Sequence, residues 1–201
     1  TSPVDKDDKW LLKLDWNISD SHRLAVTYQS QDNEVVRNLS GGGSSLGLAS
    51  SVYTNKTTTS NISTKLYSEW SDNFTTEFGI AFKDVESESI TGSDFGSVQV
   101  YVDGGRGNNI EFGADSNRHA NESQNKNLKI SLDANYLMGE HDINFGFEVE
   151  RLNLYNLFAP NSKGSWVFDS FDDFENQLSN GERFQYSNAF TNNAVDAAYD
   201  N

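Results

Sequence analysis

The strongest constraint on this chain is an alternation of apolar and polar residues in three pairs of segments, each pair joined by a few turn residues and followed by a long polar stretch. In the first pair Trp10, Leu12, Leu14, Trp16 and Ile18 alternate with Leu11, Lys13, Asp15 and Asn17; after Ser19, Asp20 and Ser21 the alternation resumes at Leu24, Val26 and Tyr28. The second pair runs Ile62, Thr64, Leu66, Ser68, Trp70, turns at Ser71, Asp72 and Asn73, and returns through Phe74, Thr76, Phe78, Ile80 and Phe82. The third runs Leu128, Ile130, Leu132, Ala134, Tyr136, turns around Met138, Gly139 and Glu140, and returns through Ile143, Phe145, Phe147 and Val149. Successive side chains of a strand point to opposite faces, so a period of two predicts strands with one apolar and one polar wall. Six long strands are predicted, Lys9 to Ser19, His22 to Gln31, Thr59 to Ser71, Phe74 to Val85, Asn125 to Leu137 and His141 to Leu154, in an all-β, antiparallel up-and-down meander.

Between the hairpins (about 9–31, 59–85 and 125–154) lie residues 32–58, 86–124 and 155–201, rich in Gly, Ser, Asn and Asp, with Gly41 to Ser45 reading as a loop tip. Loops of that length without their own structure are uncommon in a compact soluble domain. Tight turns on one side and long loops on the other are the habit of outer-membrane β-barrels. Within the second loop, Ser97 to Val102 has the alternation of a short strand in a hairpin standing above the membrane. A hydrophobic fraction of 35% and a mean hydropathy of -0.66 exclude spanning helices, since no stretch approaches the ~18 to 20 apolar residues one needs. A barrel strand crosses with ~9 to 11 tilted residues, of which alternate ones meet lipid, so a polar average is compatible with spanning. The net charge of -15, with 15 basic against 30 acidic residues, excludes a nucleic-acid partner, which requires clustered Lys and Arg. Cysteine is absent, which removes disulfide frameworks, Cys-based zinc sites and cysteine nucleophiles.

Trp10, Trp16, Tyr28, Trp70, Phe74, Phe82 and Tyr136 stand near strand ends on the apolar face, where amphipathic rings form the two interfacial girdles of a barrel. The opposite face carries Lys13, Asp15, Arg23, Lys65, Glu69, Glu77, Lys83, Lys129, Asp133, Glu148 and Glu150, charges of both signs suited to a wet lumen. Gly79, Ala81 and Gly146 on that side leave room for something packed inside, or mark curvature and bulges. With the tight turns periplasmic, the first strand descends and the sixth ascends, which would put Thr1 and Asn201 on the extracellular side, unlike the periplasmic ends usual in a complete barrel. Six strands cannot close, and lipid does not tolerate an open edge. The chain is therefore expected to be a fragment of a larger barrel, and the polar opening Thr1 to Asp8, with no signal sequence, fits a start upstream.

The stretch His141 to Pro160, HDINFGFEVERLNLYNLFAP, followed by Gly164 to Phe174, GSWVFDSFDDF, resembles TonB-dependent outer-membrane receptors of the Oar-like group. In that group a strand of the type H-x-I/L-x-F-G-x-E/D-x-E/R leads into a loop with Asn-Leu-Phe and a Gly-x-Trp/Tyr-x-Phe-x-Ser pattern. The opening Lys9 to Gln29, KWLLKLDWNISDSHRLAVTYQ, is similar to an early barrel hairpin of the same group. The resemblance implies a barrel of about 22 strands with a plugged lumen, in the outer membrane of a Gram-negative cell. It implies as partners the membrane lipid, a plug domain and through it the TonB energy-coupling complex, and a small-molecule or peptide ligand. No plug domain, TonB box, carboxypeptidase-regulatory-like domain or terminal aromatic strand appears in residues 1–201, so the expectation is a share of wall and extracellular loops from a receptor for a siderophore, vitamin, oligosaccharide or peptide. The alternatives are a secreted β-sandwich carbohydrate-binding module and a smaller outer-membrane pore.

No catalytic, cofactor or metal site is expected. His22 and His141 follow tight turns, and His119 lies in a loop near Asp115 and Glu122. The run Asp169, Asp172, Asp173, Glu175 offers hard oxygen ligands but lacks the glycine spacing of an EF-hand. There is no Gly-x-Ser-x-Gly elbow and no carboxylate pair that stands out from the acidic background, so an enzyme is not expected. Loop aromatics Tyr101, Phe112, Trp166, Phe168, Phe171 and Phe174 are the candidate ligand contacts, as stacking surfaces for sugars or anchors for peptides. The competing reading, which the composition of the loops favours, is that the same rings pack the loops against the barrel rim or plug.

Overall fold

The computed structural model describes residues 4–38, 42–102, 104 and 107–187. Along the chain run β1 (Lys6–Ser19), β2 (His22–Arg37), β3 (Ser45–Gly47), β4 (Tyr53–Ser71), β5 (Phe74–Thr91), β6 (Ser97–Tyr101), β7 (Asn109–Phe112), β8 (Asn121–Met138), β9 (His141–Phe158) and β10 (Ser165–Phe168), then a short helix α1 (Phe171–Glu175). The six long strands form one antiparallel sheet in the order β1-β2-β4-β5-β8-β9, and the four short ones form a second sheet in the order β10-β6-β7-β3.

Cross-strand partners share a face, so the register of the large sheet can be read as rows. One row is Leu14, Val26, Thr64, Ile80, Ile130 and Val149; the next on the same face is Trp16, Leu24, Leu66, Phe78, Leu132 and Phe147. The intervening row, Asp15, Ala25, Lys65, Gly79, Ser131 and Glu148, lies on the other face, as does the row on the far side of Leu14, which contains Lys13, Thr27, Ser63, Ala81, Lys129 and Glu150. Among the described residues nothing packs on the apolar face: Trp10, Leu12, Leu14, Phe145 and Val149 all remain more than half exposed. A β-sandwich would bury those side chains under a second sheet, so the sandwich alternative is excluded. The sheet is open, with β1 and β9 as its edges.

Along β5 the apolar band extends from Phe74 to Phe82. At ~3.4 Å per residue that is about 27 Å of strand, and at a tilt of ~40° about 21 Å of thickness, close to the ~25 Å band of outer-membrane barrels. Above Val149 the pattern inverts on β9: Arg151 joins the row of Leu128, while Leu152 and Leu154 pass to the polar face. Rings gather at the turn end, where His22 packs edge-on against Trp70 at 5.1 Å and Phe74 against Tyr136 at 6.2 Å. The turns are tighter than the sequence reading had them, two residues each. In the third hairpin Gly139 takes φ 64°, a twist that suits a two-residue connection, and pairing runs unbroken to Met138↔His141. The first two hairpins lack such a residue and absorb the mismatch as irregularities between Asn17 and Ser19 and between Glu69 and Ser71.

The strands outrun their predicted ends. β2 continues from Gln31 to Arg37, β5 from Val85 to Thr91 and β9 from Leu154 to Phe158; β1, β4 and β8 begin earlier, at Lys6, Tyr53 and Asn121. These extensions belong to what the alternation left as loop: in β4, β5 and β8 both faces are largely polar there, whereas β2 adds the adjacent Val35 and Val36 and β9 the adjacent Leu157 and Phe158, which break the period of two. In β4 the extension reads Thr54, Asn55, Lys56, Thr57, Thr58 and still pairs residue for residue with β5 up to Tyr53↔Thr91. A strand wetted on both sides shows no period of two, yet its β-branched residues keep it extended.

Candidate functional site

The three long loops do not end as separate excursions; they knit into one cap. The second loop supplies a hairpin, β6 antiparallel to β7, with Val98↔Phe112 and Val100↔Ile110. The first loop adds β3 parallel to β7, and the segment after β9 adds β10 parallel to β6, through Trp166↔Val98 and Phe168↔Val100. The hairpin predicted at Ser97 to Val102 is therefore the centre of a four-stranded sheet. Its alternation again separates two faces. Trp166, Val98 and Phe112, with Phe168, Val100, Ile110 and Leu46, make the apolar one; Val167, Gln99 and Glu111, with Tyr101 and Asn109, make the other.

The six aromatics singled out from the sequence fall mainly on the apolar side. Phe168 is buried, and Phe174 of α1 meets it edge-on at 5.2 Å and Phe112 at 5.7 Å. Trp166 stacks on Phe95 at 5.3 Å and touches Phe184 at 5.6 Å. Tyr101 lies under the Arg183 guanidinium, whose Nη2 donates to its hydroxyl at 2.7 Å. Phe171 and Phe174 keep substantial exposure on the outside of the cap. The structure thus packs Phe112 and Trp166 against a small core of Val98, Val100 and Phe168, lays Phe174 over its edge, and leaves Phe171 to solvent.

Beneath Trp166 the loops cross at a seam that only glycine permits. A Cβ on Gly113, which has φ 82°, would sit 1.9 Å from the Gly96 carbonyl oxygen, and one on Gly96 would sit 2.3 Å from that of Gly164. His119 fastens a second point. Lys163 N–H donates to its Nδ1 at 3.0 Å, so the proton resides on Nε2 and faces the Ala114 carbonyl at 3.1 Å. Burial, reinforced by the nearby Lys163 ammonium, lowers the pKa of the ring and holds it neutral. Two members of the acidic run have structural roles: Asp169 accepts from Arg183 at 3.0 Å and from Asn180 at 2.6 Å, while Ser170 and Asp173 cap the start of α1. Among the described residues no group of three metal-ligating side chains converges.

The polar face of the cap sheet was not singled out from the sequence. Together with Asn38, just past β2, and Ser51, just before β4, it borders a partly open cavity of about 260 Å³ whose lining includes Gln99, Glu111, Asp115 and Arg183. The signal was present in the alternation of Ser97, Gln99 and Tyr101 against Val98 and Val100, but its partner strands lie far away in sequence. Lower down, the polar wall of the large sheet carries Lys13–Asp15 and Arg23–Asp15 pairs at 3.3 and 3.1 Å, Lys129–Glu148 at 2.8 Å and a Lys65–Glu77 contact. Exposed pairs of this kind contribute ~0 to 1 kcal/mol each; they balance charge more than they stabilise. At Gly146 the wall is tight, since a Cβ there would lie 2.4 Å from the Leu132 carbonyl oxygen.

An unpartnered apolar face of membrane thickness, a polar face of mixed charge, short turns at one end and long loops at the other define a piece of transmembrane β-barrel wall. The comparison with known families agrees: residues 1–200 match the outer membrane beta barrel domain, and the chain belongs to that family. No curated protein and no solved structure matches it.

Proposed function

We propose that this chain supplies wall and extracellular loops to a TonB-dependent outer-membrane receptor that takes up a nutrient by energised transport. The observation that carries the reading is the cap. A passive pore works with loops that leave its mouth open, whereas here three loops are fixed into one sheet with its own core above the wall. The mixed-charge polar wall supports a lumen filled by protein and water, and the resemblance of residues 141–174 to Oar-like receptors supports coupling through a plug and the TonB complex. The reading gives the chain no catalytic step. Its partners are outer-membrane lipid, the plug and a captured ligand, either a siderophore, vitamin, oligosaccharide or peptide.

The test is growth of a deletion strain on defined iron, carbon and peptide sources, with and without a functional TonB system. Loss of uptake of one nutrient class, equal in the receptor deletion and the TonB deletion, is the expected result. Uptake that persists without TonB would leave a passive pore as the better reading.

A further inference from the structure

We infer that the cavity between the polar face of the cap sheet and the upper ends of β2 and β4 is a saccharide site that takes one ring of a neutral oligosaccharide. This deepens the receptor reading and rests on it. Three properties of the cavity select the ligand class.

The first is uncommitted hydrogen-bonding capacity. The hydroxyls of Ser97, Ser116 and Ser165 line the cavity with no protein partner among the described residues. Among the described residues Glu111 accepts only from Gln99 Nε2, at 3.3 Å, and Asp115 uses one oxygen to hold the Asn117 N–H at 3.0 Å. Carboxylates, amides and hydroxyls facing one small volume both donate and accept, which matches a ring of hydroxyl groups.

The second is charge. Arg183 is the one basic residue in the lining among the described residues, and it is engaged by Asp169 and Tyr101. Glu111 and Asp115 have no cationic partner among the described residues. An anionic ligand, such as a carboxylate or catecholate chelate, would meet net negative charge there.

The third is shape. About 260 Å³ lies just under the ~300 Å³ at which drug-sized sites begin, which is room for a single six-membered ring. Among the described residues apolar lining is confined to Val167, Ala114 and Phe112, too little to receive a hydrophobic side chain. A peptide would add to a strand edge, but the β10 edge is already taken by a bridge between Ser165 and Gln185.

The experiment uses the full-length protein, purified in detergent, and calorimetric titration with neutral hexasaccharides of glucose, xylose and mannose and with a panel of hexapeptides. The expected result is binding of at least one hexasaccharide that weakens about tenfold or more in Glu111→Gln and in Gln99→Leu, with near-ultraviolet circular dichroism of the cap aromatics unchanged. Ile110→Val, on the opposite face of the same sheet, should bind as the parent does. The inference is overturned if no hexasaccharide binds up to millimolar concentration, if both variants bind as tightly as the parent, or if hexapeptides bind instead and lose affinity in the same variants. Binding to purified protein does not involve TonB. A negative titration therefore removes the saccharide site alone, and TonB-independent uptake removes the receptor reading alone.

Discussion

The wall and the cap are built from the same strand period but answer to different solvents. In the wall, alternate residues such as Leu14, Ile80 and Val149 face outward with none of the described residues packed over them, so their burial has to come from lipid. In the cap, Val98, Val100 and Phe168 find their apolar partners in the chain itself, from loops more than sixty residues apart. The wall is therefore stable only where a bilayer completes it. The cap carries a small protein core into water.

Four outcomes would break or sharpen that contrast. The largest effect is expected from a charge on the outer face: Ile80→Arg should cost ~2 to 4 kcal/mol in urea unfolding of the full-length protein in lipid vesicles, while Ser63→Arg, facing the lumen, should cost less than about 1 kcal/mol. Equal costs would mean that the two faces are assigned the wrong way round. Next, Trp166→Ala should remove about 2 kcal/mol from the cap, less than the ~3 to 5 of a fully buried tryptophan, because Trp166 is half-buried. Limited proteolysis would then cut within residues 95–120 and 159–187 while the heat-resistant migration of the barrel is unchanged.

A smaller effect follows from His119. Its folded pKa lies below the unfolded value near 6.5, so the unfolded chain binds the extra proton first. The stabilisation is present above that unfolded value and is lost as pH falls through the folded one. Hydrogen-exchange protection at Lys163 N–H should decline with acidification below about pH 6.5, and His119→Gln should flatten the decline. The smallest effect belongs to Phe171→Ala, on the exposed side of α1, which should leave stability within about 0.5 kcal/mol; a larger loss would show that this ring is packed in the membrane-bound protein.

How far the sequence discloses all this depends on which face is dry. From Leu12 to Ile18, or Ile143 to Val149, one face is apolar and the other wet, and the alternation names both strand and face. From Thr54 to Thr58 both faces are wet, so nothing in the residues separates strand from loop, although the ladder continues. The cap is obscured for another reason. β3 and β10 are three and four residues long and pair in parallel with strands far along the chain, a contact no local period encodes. The aromatics around Trp166 and Phe168 marked the region as important, but their number could not show that they face one another. Gln99 and Glu111 become a site only once the β6–β7 register sets them side by side.

The two parallel pairings have a consequence for inheritance. Because β3 and β10 each lean on the hairpin β6–β7, the loop between β2 and β4 and the segment after β9 have no sheet to join unless the middle loop is intact. The three cannot diverge independently: an insertion near Gly96 or Gly113 disturbs residues contributed by all of them. Lineages of this barrel are expected to exchange or lose the three loops as a set, and grafting one loop onto a related barrel should transfer neither its shape nor its preference for a ligand.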